Sequence, residues 1–181
     1  YTYNYDQLNR YRGDSVFKNP DAINNNWNTR TGISDFQEKV NYDENGNILM
    51  YIRHGNTMNG GHLAMDSMTY KYKTGKNQLR EVLDAVASGN YPNDIDNEPD
   101  PNNYQYNNIG ELAKDSAAGL DTITWTIYGK VKEVKKHNGD SIVFFYDPLG
   151  NRLEKRYYAR HDTIMDTTKY SRDVSGNILA V

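Results

Sequence analysis

The sequence contains no cysteine, which removes disulfides and thiolate metal sites and leaves the redox compartment open. No window is long and apolar enough to span a bilayer as a helix, and no signal-like segment opens the chain. Proline is scarce at 5 residues, and tryptophan is limited to Trp27 and Trp125. There is no basic excess: 21 Lys and Arg face 24 Asp and Glu, for a formal charge of −3 and a pI near 5.8. Without a basic footprint, nucleic acid is not the expected partner. Apolar content is also low at 36%, and the gap is filled by 16 Tyr, 14 Gly and many Asn. That mixture suits two-faced antiparallel strands joined by many turns, and excludes a helical bundle.

What is present is organised around residues 142–158. Ile142, Phe144 and Tyr146 alternate with Val143 and Phe145, the period of two that marks a strand. Asp147-Pro148-Leu149-Gly150-Asn151 then breaks the run. Proline presets φ at the first corner of a turn, and the aspartate can accept backbone N–H bonds. Gly150 and Asn151 tolerate the positive φ that sends the chain back. Arg152 to Tyr158 returns as a second strand, with Leu153, Lys155 and Tyr157 expected on one face. The unit is a β-hairpin.

Six further segments fall into register with it. They are residues 3–10 with Tyr5 and Asp6, 40–49 with Tyr42, Asp43, Gly46 and Asn47, and 70–79 with Tyr72 and Gly75. The others are residues 104–112 with Tyr106 and Gly110, 125–131, and 170–179 with Asp173, Gly176 and Asn177. The copies at 70–79 and 104–112 keep Tyr-x-Tyr and the turn but lose the aspartate. That at 125–131 is the most degenerate. Such repetition implies an array in which each unit stacks on its neighbours. The fold class expected is all-β: repeated antiparallel hairpins forming a curved sheet across residues 1–181.

The signature aromatic-x-Tyr-Asp-x-x-Gly-Asn/Arg-hydrophobic resembles that of the YD, or Rhs, repeat family. The match is fullest at Tyr42, Asp43, Gly46, Asn47 and Ile48, then at Tyr146, Asp147, Gly150, Asn151 and Leu153. The resemblance implies a segment of a hollow β-shell belonging to a large secreted or surface protein. It implies partnership with other repeats of the same polypeptide, with an enclosed or displayed C-terminal effector domain, and with secretion or surface-assembly factors. The family's post-repeat core, with its aspartyl self-cleavage motif, is not recognisable, so the chain is expected to be a fragment that opens in mid-repeat.

Between the hairpins the pattern dissolves near residues 13–35, 54–67, 83–103 and 159–168, which are expected to be irregular loops. In the first, Trp27 is expected to act as a packing anchor. Leu79 and Val82 sit three apart, as do Val131 and Val134, which implies either a bulge or a strand buried on both sides. Residues 82–88 form the one stretch compatible with a short helical turn. Carboxylates at Asp94, Asp96, Glu98 and Asp100 superficially resemble half of a calcium loop. Pro99 stands where such a loop needs glycine and Gln105 where it needs glutamate, so a solvated acidic loop is the better reading.

His54, His62, His137 and His161 lie in different loops without ligand spacing, and no catalytic serine elbow or phosphate loop is present. The aspartates recur once per repeat at turns, where bonding backbone N–H groups explains them. A catalytic carboxylate would be expected once. The reading is therefore non-enzymatic, with no metal and no cofactor. Its alternative is an aromatic-rich module that binds carbohydrate or another cell-surface ligand. The exposure of the Tyr-x-Tyr rings discriminates the two: cross-strand packing favours a scaffold, and repeated shallow pockets favour binding.

Overall fold

The protein is described by a computed structural model covering residues 1–160 and 163–181. His161 and Asp162, placed by the sequence in a polar connection, lie outside the described residues. The chain is all-β, every strand pair is antiparallel, and one short 3-10 turn at Met58–Gly60 is the helical exception among the described residues. It divides into two compact units, Tyr1–Asp100 and Pro101–Val181.

The first unit holds β1 (Thr2–Tyr5), β2 (Tyr11–Lys18), β3 (Thr31–Ile33), β4 (Glu38–Tyr42), β5 (Ile48–His54), β6 (Ala64–Tyr72) and β7 (Leu79–Asp84). Six of them run in the order β1-β2-β4-β5-β6-β7, and β3 also pairs with β2. The second unit holds β8 (Tyr104–Tyr106), β9 (Leu112–Asp115), β10 (Leu120–Trp125), β11 (Val131–Lys136), β12 (Ser141–Tyr146), β13 (Arg152–Ala159) and β14 (Thr163–Lys169) in sequential order. A two-stranded sheet of β15 (Ser171–Arg172) and β16 (Ile178–Ala180) follows. Neighbours in sequence are neighbours in space, as hairpin connections require.

The register explains the odd spacings. Tyr72 faces Leu79 and Tyr70 faces Val82, with a shift between them that leaves Arg80 as an extra residue. Trp125 faces Val131 and Ile123 faces Val134, with the same kind of shift. A β-bulge therefore returns residues three apart to one face, and of the two readings it is the one realised. It also separates Leu153 from Lys155 and Tyr157: Tyr146 pairs with Arg152 and Phe145 with Glu154, so Leu153 is the bulged residue and is exposed.

The core is thin. Val16, Val40, Met68 and Val82 are the buried apolar residues of the first unit, and Ile123 that of the second, among the described residues. Beside Met68, the carboxylate of Asp66 is fully buried opposite its register partner Arg53, whose Nε donates to it at 2.5 Å.

Four expectations need correction. Residues 13–18 are strand, because Gly13 lets β4 approach closely: a Cβ there would meet the Glu38 carbonyl oxygen at 2.5 Å. Trp27 does not anchor its loop and is 53% exposed; the loop closes on itself through the Asp21–Asn26 bridge instead. Residues 82–84 are strand and not helical turn, since Val82 is needed opposite Tyr70 and is buried there. Residues 163–169 form β14, whose threonines and Ile164 favour extended backbone. Its polar pattern disguised it because it is an edge strand.

Candidate functional site: the repeated turn and its lock

Each hairpin turn is built from two backbone bonds. In the second, the Asp43 N–H donates to the Asn47 carbonyl at 2.9 Å, and the Gly46 N–H donates to the Asp43 carbonyl at 3.2 Å. The same two bonds close Asp6–Arg10, Asn107–Glu111, Thr126–Lys130, Lys136–Asp140, Asp147–Asn151 and Asp173–Asn177. This is a three-residue loop whose fourth position takes positive φ and forms a bulge. Gly46, Gly110, Gly150 and Gly176 hold that position at φ 89°, 92°, 82° and 86°, and Asn9 holds it at 58° in the first turn. Lys73–Gln78 is one residue longer, with Gly75 at φ 69°.

Where the first residue of the turn is Asp, Asn or Thr, it also supplies a side-chain acceptor. Asp147 Oδ1 accepts the N–H groups of Leu149 at 2.9 Å and Asn151 at 2.8 Å, while its Oδ2 accepts Asn151 Nδ2 at 3.0 Å. Asp173 does the same with Ser175 and Asn177, and Asp43 with Asn47. Hydrogen bonds from Asn151, Asn47 and Asn177 hold the carboxyls of Asp147, Asp43 and Asp173 below their ordinary pKa. The Asp6 carboxyl is lowered chiefly by the Arg10 N–H, and its Oδ2 also accepts Arg10 Nε at 2.6 Å.

The fourth copy reverses the chemistry without changing the shape. Asn107 stands in the aspartate's place, and its Nδ2 donates to Glu111 at 2.7 Å. In five of these turns the first and fifth side chains form a complementary pair, as Asp/Asn, Asp/Arg or Asn/Glu, and in Thr126–Lys130 the threonine hydroxyl accepts the Lys130 N–H instead.

An aromatic before the turn ends its strand in six of the seven copies: Tyr5, Tyr42, Tyr72, Tyr106, Trp125 and Tyr146 close β1, β4, β6, β8, β10 and β12. From that place Tyr72, Trp125 and Tyr146 reach the preceding hairpin. Tyr72 Oη donates to the Ile48 carbonyl at 2.8 Å, Trp125 Nε1 to the Leu112 carbonyl at 2.7 Å, and Tyr146 Oη to the Val131 carbonyl at 2.7 Å. In each case the acceptor is the first strand residue after the preceding turn. In the last copy Arg172 replaces the aromatic, and its Nε donates to the Arg152 carbonyl at 3.2 Å. Turn also touches turn. Arg10 Nη1 donates to the Asp43 carbonyl at 3.0 Å, and Asn47 Nδ2 to Asn77 Oδ1 at 3.0 Å.

These bonds form a lock between hairpins that sequence reasoning missed. It picked out Tyr and Asp as turn residues, but not that the aromatic's polar tip serves the neighbouring unit. Nor did it single out Arg10, Asn107, Glu111 or Arg172. The signal was available: an aromatic directly before the turn's first residue, and a strand residue five places after that first residue.

The scattered polar groups do not converge. His54 Nδ1 lies 2.8 Å from the Ser34 carbonyl and His137 Nδ1 lies 3.2 Å from Asp121 Oδ2. No group of three His, Asp or Glu side chains stands in a metal-holding arrangement among the described residues. The acidic segment lies along β7, with the Glu98 N–H donating to the Val82 carbonyl at 2.8 Å, and burial raises the Asp94 carboxyl.

No family model and no curated protein matches the chain. Among solved structures it is similar to a TcdB2-TccC3-TEV crystal structure, at 12% identity and a TM-score of 0.45, over 96% of this chain and 7% of that one. It is also similar to a TcdB2-TccC3-Cdc42 crystal structure, at 10% identity and a TM-score of 0.42, over the same shares. The chain thus spans about 7% of the length of these structures.

Proposed function

We propose that this chain is a non-catalytic scaffold, a segment of a YD-repeat array in a larger secreted or surface protein, whose hairpins build a wall that encloses or displays an effector domain. The observation that carries the reading is the lock: the polar tip of the aromatic residue is spent on the backbone of the preceding hairpin and not held out toward a ligand. Rings used in this way fix the spacing of successive units, which is the requirement of a wall. Carboxylates serve the turns in the same manner. Both residue types that would otherwise recommend a binding or catalytic site are thereby given structural work.

The test pairs two measurements. Hydrogen exchange on a Tyr72→Phe, Tyr146→Phe double variant should show faster exchange in both hairpins that each lock joins, β4–β5 with β6–β7 and β10–β11 with β12–β13. Titration with a panel of oligosaccharides should leave the amide spectrum unchanged. Unaltered exchange together with saturable, ring-centred shifts would overturn the scaffold in favour of carbohydrate binding.

A further inference from the structure

The last two copies depart from the repeat at the place where the lock sits. The first strand residue after the turn is Tyr11, Ile48, Leu79, Leu112, Val131 or Ile178 in the other copies, and Arg152 in the copy at 142–158. The residue that reaches back to it is Arg172, where the other copies carry an aromatic, and its Nε donates to the Arg152 carbonyl at 3.2 Å. An apolar place in the array is thereby given to two guanidinium groups. Both line one pocket of about 480 Å³ within the second unit, together with Lys130 and the rings of Trp125, Tyr146 and Tyr170. No aspartate or glutamate lines it among the described residues. None of the three cations forms an ion pair among the described residues, whereas Arg10, Arg53, Arg80 and Arg156 each hold a carboxylate. Asp147 feels the charge of Arg172, but its oxygens already accept the N–H groups of Leu149 and Asn151 and the Asn151 side chain.

We propose that this pocket binds the dianionic phosphate head of a small phosphomonoester. Donors stand ready for it. Arg152 Nε is buried with no acceptor among the described residues, while its guanidinium is held over the Phe144 ring, 4.4 Å from the centroid. Arg172 directs Nε to the Arg152 carbonyl and Nη1 to the Gly176 carbonyl at 2.7 Å, which leaves Nη2 for a ligand. The charge also matches: three cations offset by one neighbouring carboxylate leave about two positive charges, and a phosphomonoester carries about −1.5 to −2 at neutral pH. Like charges gathered without a counter-charge oppose one another, so an anion between them relieves a cost the fold otherwise bears. A planar guanidinium presents paired N–H groups that fit two phosphate oxygens. The volume is that of a small-molecule site, larger than a bare phosphate needs, and the three rings line the remainder for the organic part. The site does not draw on the scaffold reading, which stands or falls separately.

Isothermal titration calorimetry of the whole chain at constant ionic strength tests this, with glycerol 2-phosphate, inorganic phosphate and acetate as probes. Glycerol 2-phosphate should bind saturably and one-to-one, and acetate about ten-fold more weakly or worse, since it offers one charge and two oxygens. Lys130→Gln should weaken glycerol 2-phosphate about ten-fold, the effect of one charge-assisted hydrogen bond. Lys130 is exposed and its turn uses only its backbone N–H and carbonyl, so the variant should fold with the parent's far-UV spectrum. Lys132→Gln removes the same charge two residues along β11 but outside the pocket, and should change the affinity by less than about two-fold. Amide shifts on binding should centre on residues 129–131, 150–152 and 170–172. Equal affinity for acetate, equal losses in the two lysine variants, or shifts that grow linearly without saturation would mean an unspecific response to anions and overturn the proposal. Inorganic phosphate should bind more weakly than the ester; equal binding would make the free ion the occupant and overturn the assignment of an ester.

Discussion

At the scale of the residue, the turn separates three tasks: a positive φ, a side-chain acceptor and a complementary fifth residue. The first is tested at Gly150. A Cβ there would lie 3.7 Å from Lys130 Cε, an ordinary contact, so the cost of substitution is backbone strain and not collision. Gly150→Val should destabilise by more than about 1 kcal/mol, whereas Gly150→Asn should cost about half that or less, because asparagine tolerates this region. Asn9 already does so at the equivalent position. Thermal unfolding of the two variants measures the difference, and equal melting temperatures would mean that strain is not what Gly150 relieves. The second task gives a pH dependence with a definite sign. Asp43, Asp147 and Asp173 have folded pKa values below the ordinary one. Their contribution is therefore complete above about pH 4, the unfolded value, and is lost as pH falls through the lower folded values. Amide protection of Asn151 and Asn177 should decline on acidification. That of Lys130, whose N–H is held by the Thr126 hydroxyl, should not change in this window.

At the scale of the element, the lock converts a row of hairpins into a register-fixed sheet. Tyr146→Phe should destabilise the chain by about 1 kcal/mol by leaving the Val131 carbonyl without that donor. Tyr128→Phe, at a turn tip and 75% exposed, should be neutral within about 0.5 kcal/mol. Urea unfolding of both variants provides the comparison, and equal midpoints would show that the hydroxyl of Tyr146 contributes nothing. The hairpins themselves were legible in the sequence because turn chemistry and period-two alternation are both local signals. The bulge was half legible: Leu79 and Val82 announced a broken alternation, but only pairing to Tyr72 and Tyr70 shows which residue is extra. β14 was not legible, since an edge strand has no buried face to impose a pattern. The lock was hidden for a different reason. Its acceptor is a backbone carbonyl, which every residue possesses, so no residue type marks Ile48, Leu112 or Val131 as partners. Trp27 misled because a large ring predicts burial on average, and the loop around it is closed by polar bonds instead.

At the scale of the whole molecule, the surface area shows how little the chain buries. It exposes 12196 Å², against roughly 9,000 Å² expected for one compact protein of this mass and roughly 11,000 Å² for two of half the mass. Measured against an unfolded chain of roughly 30,000 Å², about 60% of the surface is buried, the fraction typical of a domain of about 60 residues. Five buried apolar side chains among the described residues tell the same story. A hairpin in such an array cannot cover its own sides, and each neighbour added supplies an interface term.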